Sequence, residues 1–327
     1  MPRWTPDLPR YPLLDGPSPV QRLPRLSAAL GGGADIWIKR EDLLPLAFGG
    51  NKLRNLEFLV GAAIAEGADT LVTAGRRWSN HCRLTAAAGA RAGLGVHLVL
   101  SGPPTAVPGP NQFLDEVLGA AIHVAATDTR EDRDSLVVAV TAELRATGHR
   151  PYVIGVGGSG VVGAVGSTLA GMELVDQGAA AGLEFASVVA PTATGGTQAG
   201  LLVGMALAGA AATVTGVAVA HPAADLRPTV AGIVDGLVAL TGVERATVSP
   251  IDIDDGQLGA GYGYPTDASE AAMRLLARTE GILVDPIYTA KALAGLIQAV
   301  RGGGYAGQSV VFWHAGGTPG LFETLNH

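Results

Sequence analysis

Short β-rich runs alternate with helical patterns along almost the whole chain, and few folds accept that order. Ile36-Trp37-Ile38-Lys39 reads as a strand, and Leu53 to Ala65 carries Leu56, Leu59, Val60, Ala63 and Ile64 at helical spacing. Thr70 to Thr73 is the next strand, His81 to Ala92 an Ala-rich helix, and Val96 to Leu100 a further strand. A proline-rich loop follows from Pro103 to Pro110. Ile122 to Val124 and Tyr152 to Ile154 read as strands around a helix from Asp134 to Thr147. Gly155 to Gly160 reads as a crossing between domains. Beyond it come a helix Val161–Gln177, a strand Ser187–Ala190, a helix Gln198–Gly209 and a strand Thr213–Val219. A helix Ser269–Glu280 and a strand Ser309–Trp313 close the series. This order favours parallel sheet wrapped by helices, an α/β fold.

Composition narrows the function classes. The chain has 327 residues, 48% of them hydrophobic and 16% charged, which suits one large or two smaller globular domains. A formal net charge of −7 argues against unspecific nucleic-acid binding. One cysteine, Cys82, excludes an intrachain disulfide and suits a reducing compartment. Met1-Pro2-Arg3-Trp4 opens without the pattern of a signal peptide, and no apolar run is long enough to suggest a membrane span, so a cytoplasmic protein is expected. The seven histidines are scattered and no metal site is expected. Neither a P-loop nor a G-x-S-x-G elbow is present.

Gly49-Gly50-Asn51-Lys52 is the most distinctive segment. Glycines let backbone approach a bound group closely, and a lysine amine there can attack a carbonyl to form a Schiff base. An ordinary lysine, with a pKa of ~10.4, is the free amine in only roughly one molecule in 2,500 at neutral pH. Burial or cationic neighbours such as Lys39, Arg40 and Arg54 would have to lower that value. Thr194-Gly195-Gly196-Thr197 lies between a strand and a helix, where backbone N–H groups suit a phosphate. Ser79-Asn80-His81 opens the Ala-rich helix, where Ser79 or Asn80 could equally serve as a cap. Tyr262, set among glycines, and Tyr288 are further candidates. Lysine, polar platform and glycine cradle are the parts that a pyridoxal phosphate enzyme needs.

Together these segments resemble the D-cysteine desulfhydrase and 1-aminocyclopropane-1-carboxylate deaminase family of fold type II, tryptophan-synthase-β-like enzymes. The resemblance runs from about Leu13 to Phe322. It rests on Lys39-Arg40-Glu41-Asp42, Gly49-Gly50-Asn51-Lys52, Ser79-Asn80-His81, Gly195 to Gly200, Gly261-Tyr262-Gly263 and Glu280 to Thr289. It implies two domains, each an open, mostly parallel sheet wrapped by helices, with a small domain at 56–160 inserted into a large one formed by 1–55 and 161–327. It also implies pyridoxal 5'-phosphate held on Lys52, with Asn80 at the ring hydroxyl and Thr194, Gly195, Gly196 and Thr197 at the phosphate. Trp78, Ser79, Asn80 and His81 would meet a small amino-acid substrate, and Tyr262 and Tyr288 would lie over the reacting carbons. A homodimer is expected on the same grounds.

Four positions depart from the family pattern. Thr289 stands where ring-opening deaminases carry glutamate, as it does in D-cysteine desulfhydrases. Trp78, after Arg76 and Arg77, replaces a glutamine, and Asn55 replaces a lysine. Ala315 replaces a threonine whose hydroxyl faces the pyridine nitrogen in the desulfhydrases; Thr318 or a water could supply that bond. The expected activity is elimination from an amino acid with a leaving group at Cβ, giving a keto acid and ammonia, with D-cysteine first. Ring opening, β-replacement, racemisation and a catalytically inactive cofactor-binding protein are the alternatives.

Overall fold

A computed structural model describes residues 4–102 and 107–323. Residues 103–106 of the expected proline-rich loop, and residues 1–3 of the opening segment, lie outside the described residues. The chain begins with β1 (Val20–Arg22), α1 (Pro24–Ala29), β2 (Asp35–Arg40) and α2 (Lys52–Ala65). It continues through β3 (Thr70–Arg76), α3 (Asn80–Ala92), β4 (Gly95–Ser101), α4 (Pro110–Val117), β5 (Ala121–Val124), α5 (Arg130–Ala146) and β6 (Pro151–Val153). Then come α6 (Val161–Ala180), β7 (Phe185–Thr192), α7 (Gly196–Leu207), β8 (Thr213–Ala218), α8 (Ala223–Thr241) and β9 (Asp252–Asp254). The last elements are α9 (Asp267–Glu280), α10 (Thr289–Arg301) and β10 (Ser309–His314).

The strands form two sheets. One has the order β1-β2-β10-β7-β8-β9, parallel except for the edge strand β1; the other has the order β5-β4-β3-β6 and is parallel throughout. Side chains alternate across each strand, so each sheet needs cover on both faces. Val188, Ala190, Val311 and Trp313 point into a core with α6, α7 and α8. Their neighbours Val189, Val310 and Phe312 point the other way, into a core with α9 and α10. In the smaller sheet Leu71, Leu98 and Leu100 pack against α2 and α3, while Val72, Ala74 and Val99 pack against α5. Each fully buried side chain of this kind contributes about 1.5–3 kcal/mol.

All eight expected strands are present. Two short polar strands, β1 and β9, and the helices α1, α4, α8 and α10 add to them. The expected crossing is a short turn, Val156–Gly158, in which Gly157 and Gly158 have φ of 72° and 61°. It hands the chain from β6 of the smaller sheet to α6, which packs along α7 over the larger one. Asn55 holds this crossing: its Nδ2 donates to the Gly158 carbonyl at 3.2 Å and its Oδ1 accepts from Ser167 at 3.2 Å.

The helices α2, α6 and α7 meet backbone to backbone. A Cβ on Gly166 would collide with the Arg54 carbonyl, one on Gly200 with Ser167, and one on Gly204 with the Thr168 carbonyl. Glycine is what these crossings require.

Candidate active site

A cavity of about 1180 Å³ opens between the two sheets, at the carboxyl ends of β3, β7, β8 and β10. In open α/β sheets ligands bind at these strand ends. Lys52 reaches the cavity from the first turn of α2. The backbone before it is strained at Ala47 and Phe48, whose φ of 46° and 65° are left-handed, while Gly49 and Gly50 take φ of 64° and 127° without that cost. Such strain persists only where the surroundings hold it. Asn51 supplies part of that hold. Its N–H donates to the Ala315 carbonyl at 2.9 Å, and its Nδ2 donates to Thr197 Oγ1 at 2.9 Å. One residue thus fastens the lysine turn to the end of β10 and to the start of α7.

Among the described residues the Lys52 amine has no hydrogen-bond or ion-pair partner, and burial pushes its pKa down to about 8. The cationic neighbours expected to help do not. Lys39 and Arg54 are neutralised by Glu41 and Glu173, and Arg40 by Asp42. Burial alone acts on the lysine because the other basic groups of the segment point into a separate ion-pair cluster.

Opposite Lys52, Thr194, Gly195, Gly196 and Thr197 form the turn that opens α7, with Gly195 at φ 81°. Thr194 and Ser159 share a hydroxyl hydrogen bond of 2.5 Å, and Ser159 also lines the cavity. A Cβ on Gly196 would come within 2.9 Å of Ser159 Oγ. The turn is therefore shaped for exposed backbone N–H groups at a helix N-terminus.

Ser79 caps α3 by accepting from the Cys82 N–H at 3.2 Å. Asn80 Oδ1 accepts from Arg83 at 3.0 Å, which leaves its amide N–H groups for the cavity. Arg83 also donates to the Gly49 carbonyl at 3.0 Å and to Asn111 at 2.8 Å, so it ties α3 to the strained turn. His81 lines the cavity with Nδ1 unpartnered; burial, then the charge of Lys52, pushes its pKa down to about 3. The Tyr262 and Tyr288 hydroxyls hydrogen-bond each other across the cavity. Burial pushes Tyr262 up to about 12 and Tyr288 well above its ordinary value. Ala315 and Thr289 line the cavity beside them, whereas Thr318 does not. Trp78 also stays off the cavity wall: its ring packs behind Tyr262, with centroids 5.9 Å apart.

Of three supporting residues, Lys291 and Arg83 carried no signal that sequence reading could use, and Asp285 stood inside the Glu280 to Thr289 motif with no role given to it. Lys291 is buried in α10 and donates to the carbonyls of Leu258 at 2.7 Å and Gly261 at 3.1 Å, holding the Tyr262 loop. Asp285 accepts from the N–H groups of Ile287, Tyr288 and Thr289, and from the Thr289 hydroxyl at 2.5 Å. Arg83 acts through its hydrogen bonds to Asn80, Asn111 and the Gly49 carbonyl, partners that only the fold brings to it.

A family model described as "Pyridoxal-phosphate dependent enzyme" matches residues 12–316. The chain belongs to this family. A D-cysteine desulfhydrase of Klebsiella pneumoniae (strain 342) is 40% identical over 327 residues, covering 98% of this chain and 97% of the relative. One from Salmonella choleraesuis (strain SC-B67) is 40% identical over 328 residues with the same coverage. A crystal structure of an ACC deaminase homologue superposes with a TM-score of 0.89 at 33% identity, covering 97% of this chain and 94% of that one. The T.th. threonine deaminase, at 22% identity and a TM-score of 0.67, covers 95% of this chain and 94% of its own and shares the fold.

The cavity of this family member fits pyridoxal phosphate. It offers an unpaired, enclosed amine for the aldehyde, a glycine turn at the N-terminus of a 12-residue helix for the phosphate, and free amide N–H groups on Asn80. Two residues that line it, His81 and Thr192, each carry a buried atom, Nδ1 and Oγ1, with no hydrogen-bond partner among the described residues. Buried polar atoms are ordinarily hydrogen-bonded, so such orphans mark where a ligand belongs.

Proposed function

We propose that this chain is a pyridoxal-phosphate-dependent lyase that acts on a small amino acid with a leaving group at Cβ, D-cysteine first, and yields a keto acid and ammonia. The observation that carries the reading is the unpartnered Lys52 amine, which lines one cavity with the glycine turn of α7 and the Tyr262–Tyr288 hydroxyl pair. The desulfhydrase relatives supply the substrate. Lys52 would hold the cofactor, Asn80 would donate to its ring oxygen, and Thr194 to Thr197 would bind its phosphate. Bound, the cofactor supplies an electron sink for the pair left at Cα.

The protein's own groups do the rest. With its pKa near 8, Lys52 is neutral in about one molecule in ten at pH 7, which suits it to accept the Cα proton. Ser79 and the N-terminus of α3 face the cavity where a substrate carboxylate would be held. Tyr262 and Tyr288 stay protonated at neutral pH, and one of them donates a proton to the departing group. His81 stays neutral, so it does not compete as a cation. Ala315 offers no hydroxyl to the cofactor ring.

The test is keto acid release from a panel of D- and L-amino acids, with sulfide measured in parallel. Pyruvate and sulfide from D-cysteine, well above L-cysteine, support the reading. Keto acid from 1-aminocyclopropane-1-carboxylate with none from cysteine would favour ring opening, the second reading, which the deaminase homologue of similar structure motivates. No product from any member would leave only a cofactor-binding role. The same reading carries a cytoplasmic homodimer, and light scattering giving twice the mass of the chain checks its assembly. It also carries a division into 56–160 and the remainder, which limited proteolysis at Gly155–Gly160 checks.

A further inference from the structure

Of the two arginines that precede Trp78, only one faces the cavity. Arg77 reaches Gln112 Oε1 at 3.5 Å and does not line it. Arg76, the last residue of β3, lines it together with Ser79 and Tyr262. Its guanidinium lies 5.8 Å from the Trp78 ring centroid and 5.9 Å from that of Tyr262. The two rings hold a planar cation in place while leaving its edge free for hydrogen bonds. The one ion-pair partner of Arg76 among the described residues is Asp128, a loop carboxylate with 46% of its side chain exposed. Arg133 lines the same cavity near Arg76, but its charge is met by Asp134 at 3.2 Å, so Arg76 is the cation that an incoming anion would reach.

A half-buried guanidinium beside the reacting hydroxyl pair is neutralised here only by a loop residue that a ligand can displace. We propose that Arg76 is a specificity-determining residue that binds an oxyanion on the substrate's Cβ, so that amino acids with a sulfate or phosphate ester leaving group there are accepted beside D-cysteine. The proposal rests on the lyase reading above and extends it. In the step it implies, Lys52 takes the Cα proton and the Cβ–O bond breaks. The bonding pair leaves with the sulfate or phosphate, and water converts the remaining enamine to keto acid and ammonia. No oxidant or reductant is needed.

The experiment uses the holoenzyme with O-sulfoserine and O-phosphoserine, in both enantiomers, beside D-cysteine and β-chloroalanine. Arg76→Gln should lower the ratio of kcat/KM for the oxyanionic over the neutral substrates by about 10- to 100-fold, as loss of a charge-assisted hydrogen bond does. Arg76→Lys, which keeps the charge without the planar fork, should fall between. Asp128→Asn, which removes the competing carboxylate, should raise the same ratio. Binding of O-phosphoserine, followed by tryptophan fluorescence, should weaken in Arg76→Gln and tighten in Asp128→Asn. Circular dichroism checks that each variant folds. If both ratio and binding are unmoved by Arg76→Gln, or if Asp128→Asn lowers them, Arg76 serves only to brace Trp78 and Tyr262 and the proposal is overturned. If no substrate yields keto acid, the lyase reading fails, and the fluorescence titration still decides whether Arg76 binds the anion.

Discussion

Arg54 and Lys52 are two residues apart at the start of α2 and face opposite surroundings, because positions i and i+2 of a helix do not share a face. Arg54 donates to both oxygens of Glu41, at 2.6 and 2.9 Å, and to both oxygens of Glu173, each at 2.9 Å. Lys39 completes the cluster through Glu173, Gln177 and the Ser18 carbonyl, at 2.5, 2.6 and 2.8 Å. Lys52 has nothing comparable. Burying a charge is costly unless it is paired, so a paired cluster is a finished structural element and an unpaired amine is an invitation to a ligand. Both features come from segments that look equally motif-like in the sequence. Their chemistry is separated by partners and not by burial.

The sharpest way to break this contrast is Lys52→Ala. It should lower kcat by on the order of 10⁴-fold and abolish the borohydride-reducible linkage to the cofactor. A variant that still forms a reducible linkage would place the essential amine elsewhere. In the wild type, cofactor capture should speed up as pH rises and level off above about 8, where the amine is neutral.

On the paired side, Glu41→Gln should cost about 1.5–3 kcal/mol of stability, because Arg54 loses one charged partner and keeps Glu173. Chemical denaturation reads that loss, and a variant as stable as wild type would show that the cluster is not what holds α2. Tyr288→Phe should lower kcat/KM by about 100-fold with little change in melting temperature. An equal loss of stability would move Tyr288 into the structural class.

Asp115 is an intermediate case, buried with neither carboxylate oxygen hydrogen-bonded among the described residues. Burial, partly offset by Arg83, pushes its pKa up to about 8. Its folded value lies above the unfolded one, so its contribution to stability is full below about pH 4 and is lost as pH rises towards about 8. Asp115→Asn should therefore stabilise the protein by about 1–3 kcal/mol at pH 8, with a smaller gain at pH 5. A gain that does not vary with pH would mean that Asp115 is not protonated in the folded chain.

Most of the fold was legible because the sheet strands are continuous apolar runs, the signature of burial on both faces. The strands β1 and β9 were not, being three residues long and largely polar. Helix α8 was hidden by Pro228 in its interior, and α10 because it begins at Thr289, inside a segment that reads as a site motif. At the site, Lys52, Ser79 and the glycine turn of α7 announced themselves through residue type and position. Arg83 and Lys291 did not, and Asp285 showed only as part of the Glu280 to Thr289 motif, since each acts through a partner distant in sequence or through a turn that only the fold supplies. Arg76 and Arg77 could be noticed but not told apart, because which of them faces the cavity depends on where β3 ends.

The glycine crossings of α2, α6 and α7 have a consequence for how this scaffold can diversify. With carbonyls lying where side chains would otherwise be, the lysine turn and the phosphate turn form a single casting that cannot be adjusted one part at a time. The opposite wall, carried by the end of β3 and by the loop of Tyr262, is made of side chains, and each can be exchanged without recasting the base. New substrates are therefore expected to be won on that wall, while the base passes unchanged from one reaction to the next.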